Sequence, residues 1–344
     1  MGVEALLDAY KNSPRLFQLA DRLSFTQPQK IHLENLQGSS AQFLAAAILN
    51  HPSCSQLNHL IVLDDAEDAA YFHNSLENLT EALDLFYFPS SFRQQKNFSL
   101  LNSSHVMLRT EALSKIASQI NNSGGVNKKF FVTYPEALFE KVAVPATLSS
   151  NIIFIKTGDS LDVEHLLLKL SDYGFERSDF VYEPGQFAIR GGILDIYSFG
   201  NDKPYRIELF GNDVDSIRII DPESQLSERK LLQVSIIPNV ETQFNEEQKI
   251  SLLDFLPENT VVWIHDEALV KQRMNDCHDE LESYLEFKND KKITDHREDS
   301  VEKQDIRKED FLLFSKLENQ VSKRHVIHFG RKVIYDVFNG RCFS

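Results

Sequence analysis

Tyr182-Glu183-Pro184-Gly185-Gln186-Phe187-Ala188-Ile189-Arg190-Gly191-Gly192-Ile193-Leu194-Asp195-Ile196-Tyr197, continued by Tyr205-Arg206-Ile207-Glu208-Leu209-Phe210-Gly211, alternates apolar and charged residues in two runs and reads as β-structure. A strand turns successive side chains to opposite faces, so Phe187 and Ile189 oppose Ala188 and Arg190. In the second run Tyr205, Ile207 and Leu209 oppose Arg206 and Glu208. Arg190, Arg206 and Glu208 are therefore expected in one exposed polar row. Gly191-Gly192 interrupts the first run and allows a bulge or a close backbone approach, and Gly200-Asn201-Asp202-Lys203-Pro204 supplies a turn before the second. A third short run over 214–220 follows Gly211-Asn212-Asp213. A half-buried antiparallel sheet with a charged wet side accounts for this pattern on solubility grounds alone. An alternating row of arginine and glutamate also suits a partner that offers complementary charges in a single register.

The flanking sequence has a different rhythm. An amphipathic helix opens at Ala5, a second spans 17–23, and a strand over 31–36 leads through Gly38-Ser39-Ser40 into an alanine-rich helix over 41–49. A buried strand at 60–64 precedes a helix over 66–83 that Asp64 or Asp65 caps, and short apolar strands are expected at 85–88, 105–108 and 130–133. Strand and helix alternate, which argues for a parallel α/β sheet. A second unit begins near Asn151 with a strand over 152–155 and a helix over 161–173, carries the charged sheet, and ends near Lys230. Helix, strand and helix then resume at 251–255, 260–264 and 267–287, and a last strand lies at 325–329. Residues 121–125 read as a surface loop, and 288–309 as a charged segment without an assigned function.

Strand, glycine turn and helix over 33–49 form the layout of a phosphate-binding loop. Such a loop needs glycines that let backbone N–H groups surround phosphates, a lysine to neutralise them, and a hydroxyl to hold magnesium. Here Asn35 stands in place of the first glycine, Ser40 in place of the second, Ala41 in place of the lysine and Gln42 in place of the hydroxyl. Gly38 fits, and Ser39 lies beside it. Losing the lysine and the hydroxyl removes both the charge and the metal ligand, so hydrolysis is not expected. Asp266-Glu267, after the apolar strand, reads either as a remnant magnesium-handling pair or as a cap of the helix that begins there.

Composition bounds the rest. The chain has 344 residues, 42% of them hydrophobic, enough for a substantial core and for two compact units. No apolar run approaches the ~20 residues that span a bilayer, and the first residues lack a basic leader, so a cytoplasmic protein is expected. Cys54, Cys277 and Cys342 are scattered, and His325-x-x-His328 sits in a strand-like run, so neither a metal nor a cofactor is expected. A formal charge of -15 works against tracking of nucleic-acid phosphates and favours a protein partner.

The words Glu183 to Ile196, Arg206-Ile207-Glu208-Leu209-Phe210-Gly211, and Asp213-Val214-Asp215-Ser216-Ile217-Arg218 with Asp221-Pro222-Glu223-Ser224-Gln225 resemble the N-terminal module of the bacterial transcription-repair coupling factors (Mfd). That module is itself similar to the excision-repair subunit UvrB. The resemblance implies a degenerate P-loop NTPase-like parallel-sheet domain made of 1–150 and 231–344, with an inserted small α+β domain over 151–230 carrying the antiparallel sheet. It implies that this inserted domain docks UvrA through Arg190, through Arg206 and Glu208, and through Arg177, while Ala188 stands where UvrB carries a further arginine. UvrB also grips DNA with a tyrosine-rich hairpin; after Phe86-Tyr87-Phe88 this chain passes to Arg93-Gln94-Gln95-Lys96-Asn97 without such a ribbon. The implied role is recruitment of UvrA to lesion-stalled transcription complexes, without an ATPase of its own. RNA polymerase and double-stranded DNA would be met by parts of a longer parent, and residues 330–344 depart from the family pattern. Two alternatives stand beside it: an ATP-dependent DNA-loading enzyme of the UvrB type, and a structural domain that restrains the parent's motor.

Overall fold

The structure, a computed structural model, describes residues 2–49, 51–80, 84–94, 97–121, 129–201, 203–238, 249–294 and 306–330. Its first body is a six-stranded sheet with the strands in the order Lys30–His32, Val326–His328, Thr260–Ile264, Asn58–Val62, Lys129–Thr133 and Asp84–Tyr87, all parallel. The strands Asn58–Val62, Lys129–Thr133 and Thr260–Ile264 are buried along their whole length, which is why they read as continuous apolar runs rather than as alternation. Helices Pro14–Leu23, Ser40–Leu49, Ala66–Leu79 and Glu267–Thr294 contribute to the same apolar core, with Trp263, Phe130 and Phe131 at its centre. Asp65 caps Ala66–Leu79 by accepting from the Asp68 N–H at 2.9 Å.

The second body is a sheet with the order Ser227–Leu231, Asp213–Ile220, Tyr205–Phe210, Ile193–Ile196, Gln186–Arg190 and Glu176–Arg177, antiparallel except for the last pair. Phe187, Leu194, Ile196, Tyr205 and Ile207 pack on one side of it against Leu166 and Leu170 of helix Val163–Asp172. The strand Ile153–Lys156 pairs with Gln233–Ile236, and Val234 and Ile236 belong to this core, so the packed body runs past Lys230.

Three local expectations are corrected. Residues 105–108 lie in helix Ser103–Asn121, not in a strand, because Val106, Arg109, Leu113 and Ile116 bury one helical stripe and Asn102 Oδ1 accepts from the His105 N–H at 3.2 Å at its start. The strand expected over 31–36 is only Lys30–His32. The first charged run is two strands, since Gly191-Gly192 forms a two-residue hairpin turn that sets Arg190 opposite Ile193. Gly191 takes a φ of 61°, and a Cβ on Gly192 would lie 2.7 Å from the Leu209 carbonyl oxygen. Among the described residues, no helix is long and apolar enough to cross a membrane. The readings of 122–125, of 295–305, of Cys342 and of 331–344 fall outside the described residues.

Candidate functional site

Strand register assembles the polar face of the second sheet. Ala188, Asp195, Arg206 and Arg218 make one cross-strand row, and Arg190, Ile193, Glu208 and Ser216 make the next. Asp195 is the centre. Its side chain has 0% exposure, and three charged hydrogen bonds converge on it. Arg206 Nε and Nη2 donate to Oδ1 and Oδ2 at 2.8 Å each, and Arg190 Nη2 donates to Oδ2 at 2.6 Å. The planar guanidinium fork of Arg206 matches the carboxylate edge to edge, which is the geometry that makes such pairs strong. Arg206 Nη1 also donates to the Gln225 carbonyl at 3.1 Å, and Arg190 Nη1 donates to that of Asp179. The Arg190 guanidinium lies 4.5 Å from the centre of the Phe180 ring. Bonding to Asp195 raises the Arg206 pKa above its ordinary value, so the arginine stays charged. Glu208 accepts from Ser216 Oγ and, at 3.3 Å, from Arg218 Nη2.

Arg190, Arg206 and Glu208 thus share a face, but they do not form a free, exposed row. Side-chain exposure is 34% for Arg190, 15% for Arg206 and 32% for Glu208, because each is held by a partner within the sheet. The face also has a small core of its own, in which Val181, Ala188, Tyr197 and Ile220 pack together. Ala188 is buried there, and so is Tyr197. Tyr182 is exposed and neighbours Phe180, with ring centres 6.5 Å apart. Arg177 stands in register with Phe187, whose side chain enters the opposite core, and no bond ties it to the Asp195 network among the described residues.

Two residues of this face escaped the sequence reading. Phe210 follows Arg206 and Glu208 at the same alternation and is 84% exposed. Asp195 stands out only when the run is read as two strands. Read as a two-residue hairpin, Gly191-Gly192 would have set Asp195 between Ala188 and Arg206.

The loop over 34–42 has two residues in the left-handed region and no basic side chain. Asn35 and Gly38 take positive φ values of 61° and 54°, asparagine being among the few residues that tolerate this in place of glycine. Gly38 and Ser39 are exposed, while Ser40 bonds back through its hydroxyl to the Gln37 carbonyl at 2.6 Å. Ala41 packs against the core, and Gln42 is buried with its Oε1 unpartnered among the described residues. Beyond the carboxyl ends of the strands lies a cleft of about 370 Å³, where open α/β sheets commonly take ligands. Among the described residues, Glu34, Asp266, Glu267 and Glu318 line it with a single lysine, Lys271. The rings of His32 and His328 stack at 4.7 Å on its wall. His265 Nδ1 lies 2.7 Å from Asp64 Oδ2, and this bond raises the His265 pKa, whereas burial lowers that of His328. Asp266 Oδ1 accepts from the Leu269 N–H at 3.0 Å and so caps the helix behind it. The strands Phe92–Gln94 and Asn97–Leu101 pair antiparallel. Phe92 and Phe98 meet edge to face at 5.1 Å, and Phe98 packs on Phe311 at 5.6 Å.

Residues 153–241 match the UvrB interaction domain family. The transcription-repair-coupling factor of Bacillus subtilis is 27% identical over 223 residues, which cover 64% of this chain and 18% of that protein. The corresponding factor of Myxococcus xanthus is 34% identical over 113 residues, 33% of this chain and 9% of that protein. UvrABC system protein B of Metamycoplasma arthritidis is 26% identical over 270 residues, 74% of this chain and 40% of that protein. The chain thus corresponds to less than a fifth of these coupling factors and to two fifths of that UvrABC subunit.

Proposed function

We propose that this chain, a UvrB-homology module related to the transcription-repair-coupling factors, works by binding: its antiparallel sheet docks UvrA and brings it to lesion-stalled transcription complexes. The observation that carries the reading is the polar face itself. Arg190 and Arg206 are held around Asp195, Glu208 lies in the neighbouring row, and the Arg190 guanidinium sits 4.5 Å from the centre of the exposed Phe180 ring; arginine beside an exposed aromatic is the composition of an interface hot spot. The face belongs to the region that matches the UvrB interaction domain. We take 1–150 and 231–344 as the supporting unit and 151–230 as the inserted arm, with Gln233–Ile236 still packed on the arm.

The supporting unit has no nucleotide chemistry in this reading. Among the described residues, a triphosphate entering the cleft would meet four carboxylates, one lysine and three histidines, and Ala41 and Gln42 offer neither counter-charge nor metal ligand. RNA polymerase and double-stranded DNA are assigned to the remainder of a longer parent. Size-exclusion chromatography of the chain with UvrA, run beside an ATP-turnover assay of the chain alone, tests both halves. Co-elution without turnover is the expected result; turnover without co-elution would favour the ATP-dependent DNA-loading reading instead.

A further inference from the structure

We propose that Asp195 is the positioning residue of the docking face: a buried carboxylate that fixes Arg190 and Arg206 in advance of the partner. This rests on the docking reading above and deepens it. A carboxylate with 0% exposure does nothing for solubility, and a buried ion pair is weak evidence for stability, since packed apolar side chains commonly do as well. What Asp195 does supply is geometry. Arginine has five N–H donors; Arg206 spends three on Asp195 and Gln225, and Arg190 spends two on Asp195 and Asp179. The remaining donors point in directions that the strands and Asp195 have already set. Phe180 lies under the Arg190 guanidinium and fixes the plane of that fork. A partner presenting carboxylates or carbonyls then docks without first ordering two long, flexible side chains, which is the gain from preorganisation.

The proposal differs in sign from one based on charge alone. Two arginines and one aspartate carry a net charge of one, and Asp195→Asn raises it to two. If charge steered an acidic partner, Asp195→Asn would bind UvrA as well or better. If Asp195 positions the forks, the same variant binds on the order of ten-fold more weakly or worse.

The test is calorimetric titration of the folded chain and of Asp195→Asn with UvrA, together with the exchange rates of the Arg190 and Arg206 Nε–H protons measured by NMR. The expected result is weaker binding by Asp195→Asn with faster Arg206 Nε–H exchange than in the wild type. Unchanged or tighter binding by the folded variant overturns the positioning role and leaves the docking reading standing. Failure of the wild type itself to bind overturns the docking reading, and this role with it. Should Asp195→Asn not fold, the wild type decides: Arg206 Nε–H must exchange more slowly than that of the exposed Arg229, and equal rates overturn the proposal.

Discussion

Replacing both Arg190 and Arg206 by alanine is the obvious way to probe the polar face, and the structure predicts that it damages the fold before it tests binding. Asp195, which has 0% exposure in the native sheet, would lose all three of its guanidinium bonds. Breaking a buried pair by removing one side costs about 3–5 kcal/mol, because an uncompensated buried charge remains. Arg206 is expected to account for most of that loss: it supplies two of the three bonds and is 15% exposed, against one bond and 34% for Arg190, whose contribution water screens more. Adding Asp195→Ala to the double variant removes the orphaned charge and should recover all but about 1–2 kcal/mol. Urea unfolding followed by far-UV circular dichroism measures the series. The fluorescence of Trp263, the sole tryptophan, reports on the parallel sheet and should unfold at an unchanged denaturant concentration. A double variant as stable as the wild type, or a triple variant less stable than the double, would refute the reasoning.

Other perturbations test the two bodies separately. Burial lowers the Lys129 pKa from 10.5 to about 8, so its charge opposes folding fully below pH 8 and progressively less as the pH rises towards 10.5. At ~1.4 kcal/mol per pH unit, Lys129→Met should stabilise the chain by about 3 kcal/mol at pH 7 and by much less at pH 10, and a pH-independent difference in unfolding free energy would contradict this. The Asp64 bond raises the His265 pKa, so its stabilisation is complete below the ordinary histidine value and disappears as the pH passes the raised one. Asp64→Asn should therefore lower the melting temperature at pH 5.5 and have little effect at pH 8.5. Gly192→Ala drives a Cβ to 2.7 Å from the Leu209 carbonyl and should destabilise the antiparallel sheet by about 1–3 kcal/mol, whereas Gly191→Asn, with open space and a φ of 61°, should be tolerated in the same thermal assay.

The parallel sheet was legible because its central strands are buried on both faces, so Leu60-Ile61-Val62 and Val261-Val262-Trp263-Ile264 stand out as unbroken apolar runs. Residues 105–108 misled for the same reason: a short apolar run looks alike in a strand and in a helix, and the stripe through Arg109 is hidden by a charged residue. Arg109 is buried because it lies over the Phe88 ring at 4.4 Å and reaches Glu140 at 3.5 Å, contacts that only the tertiary fold supplies. On the antiparallel sheet, alternation assigned Arg190, Arg206 and Glu208 to one face. It carried no information on their mutual bonds, which depend on a register set by two glycines. Nor did it tell the buried Tyr197 from the exposed Tyr182, since the small core that covers Tyr197 joins Val181, from the segment before strand Gln186–Arg190, to Ala188 and to Ile220 at the end of a distant strand.

Calorimetric titration of UvrA into the wild-type chain, into Phe210→Ser and into Leu168→Ser tests the central claim most directly. Phe210 is 84% exposed on the polar face, and Leu168 is 67% exposed on the helix covering the other face, so neither change disturbs a core. The account predicts saturable binding by the wild type and by Leu168→Ser, and a loss of about 2 kcal/mol, roughly thirty-fold in Kd, for Phe210→Ser. No saturable binding by the folded wild type, or equal affinity for all three chains, would contradict it.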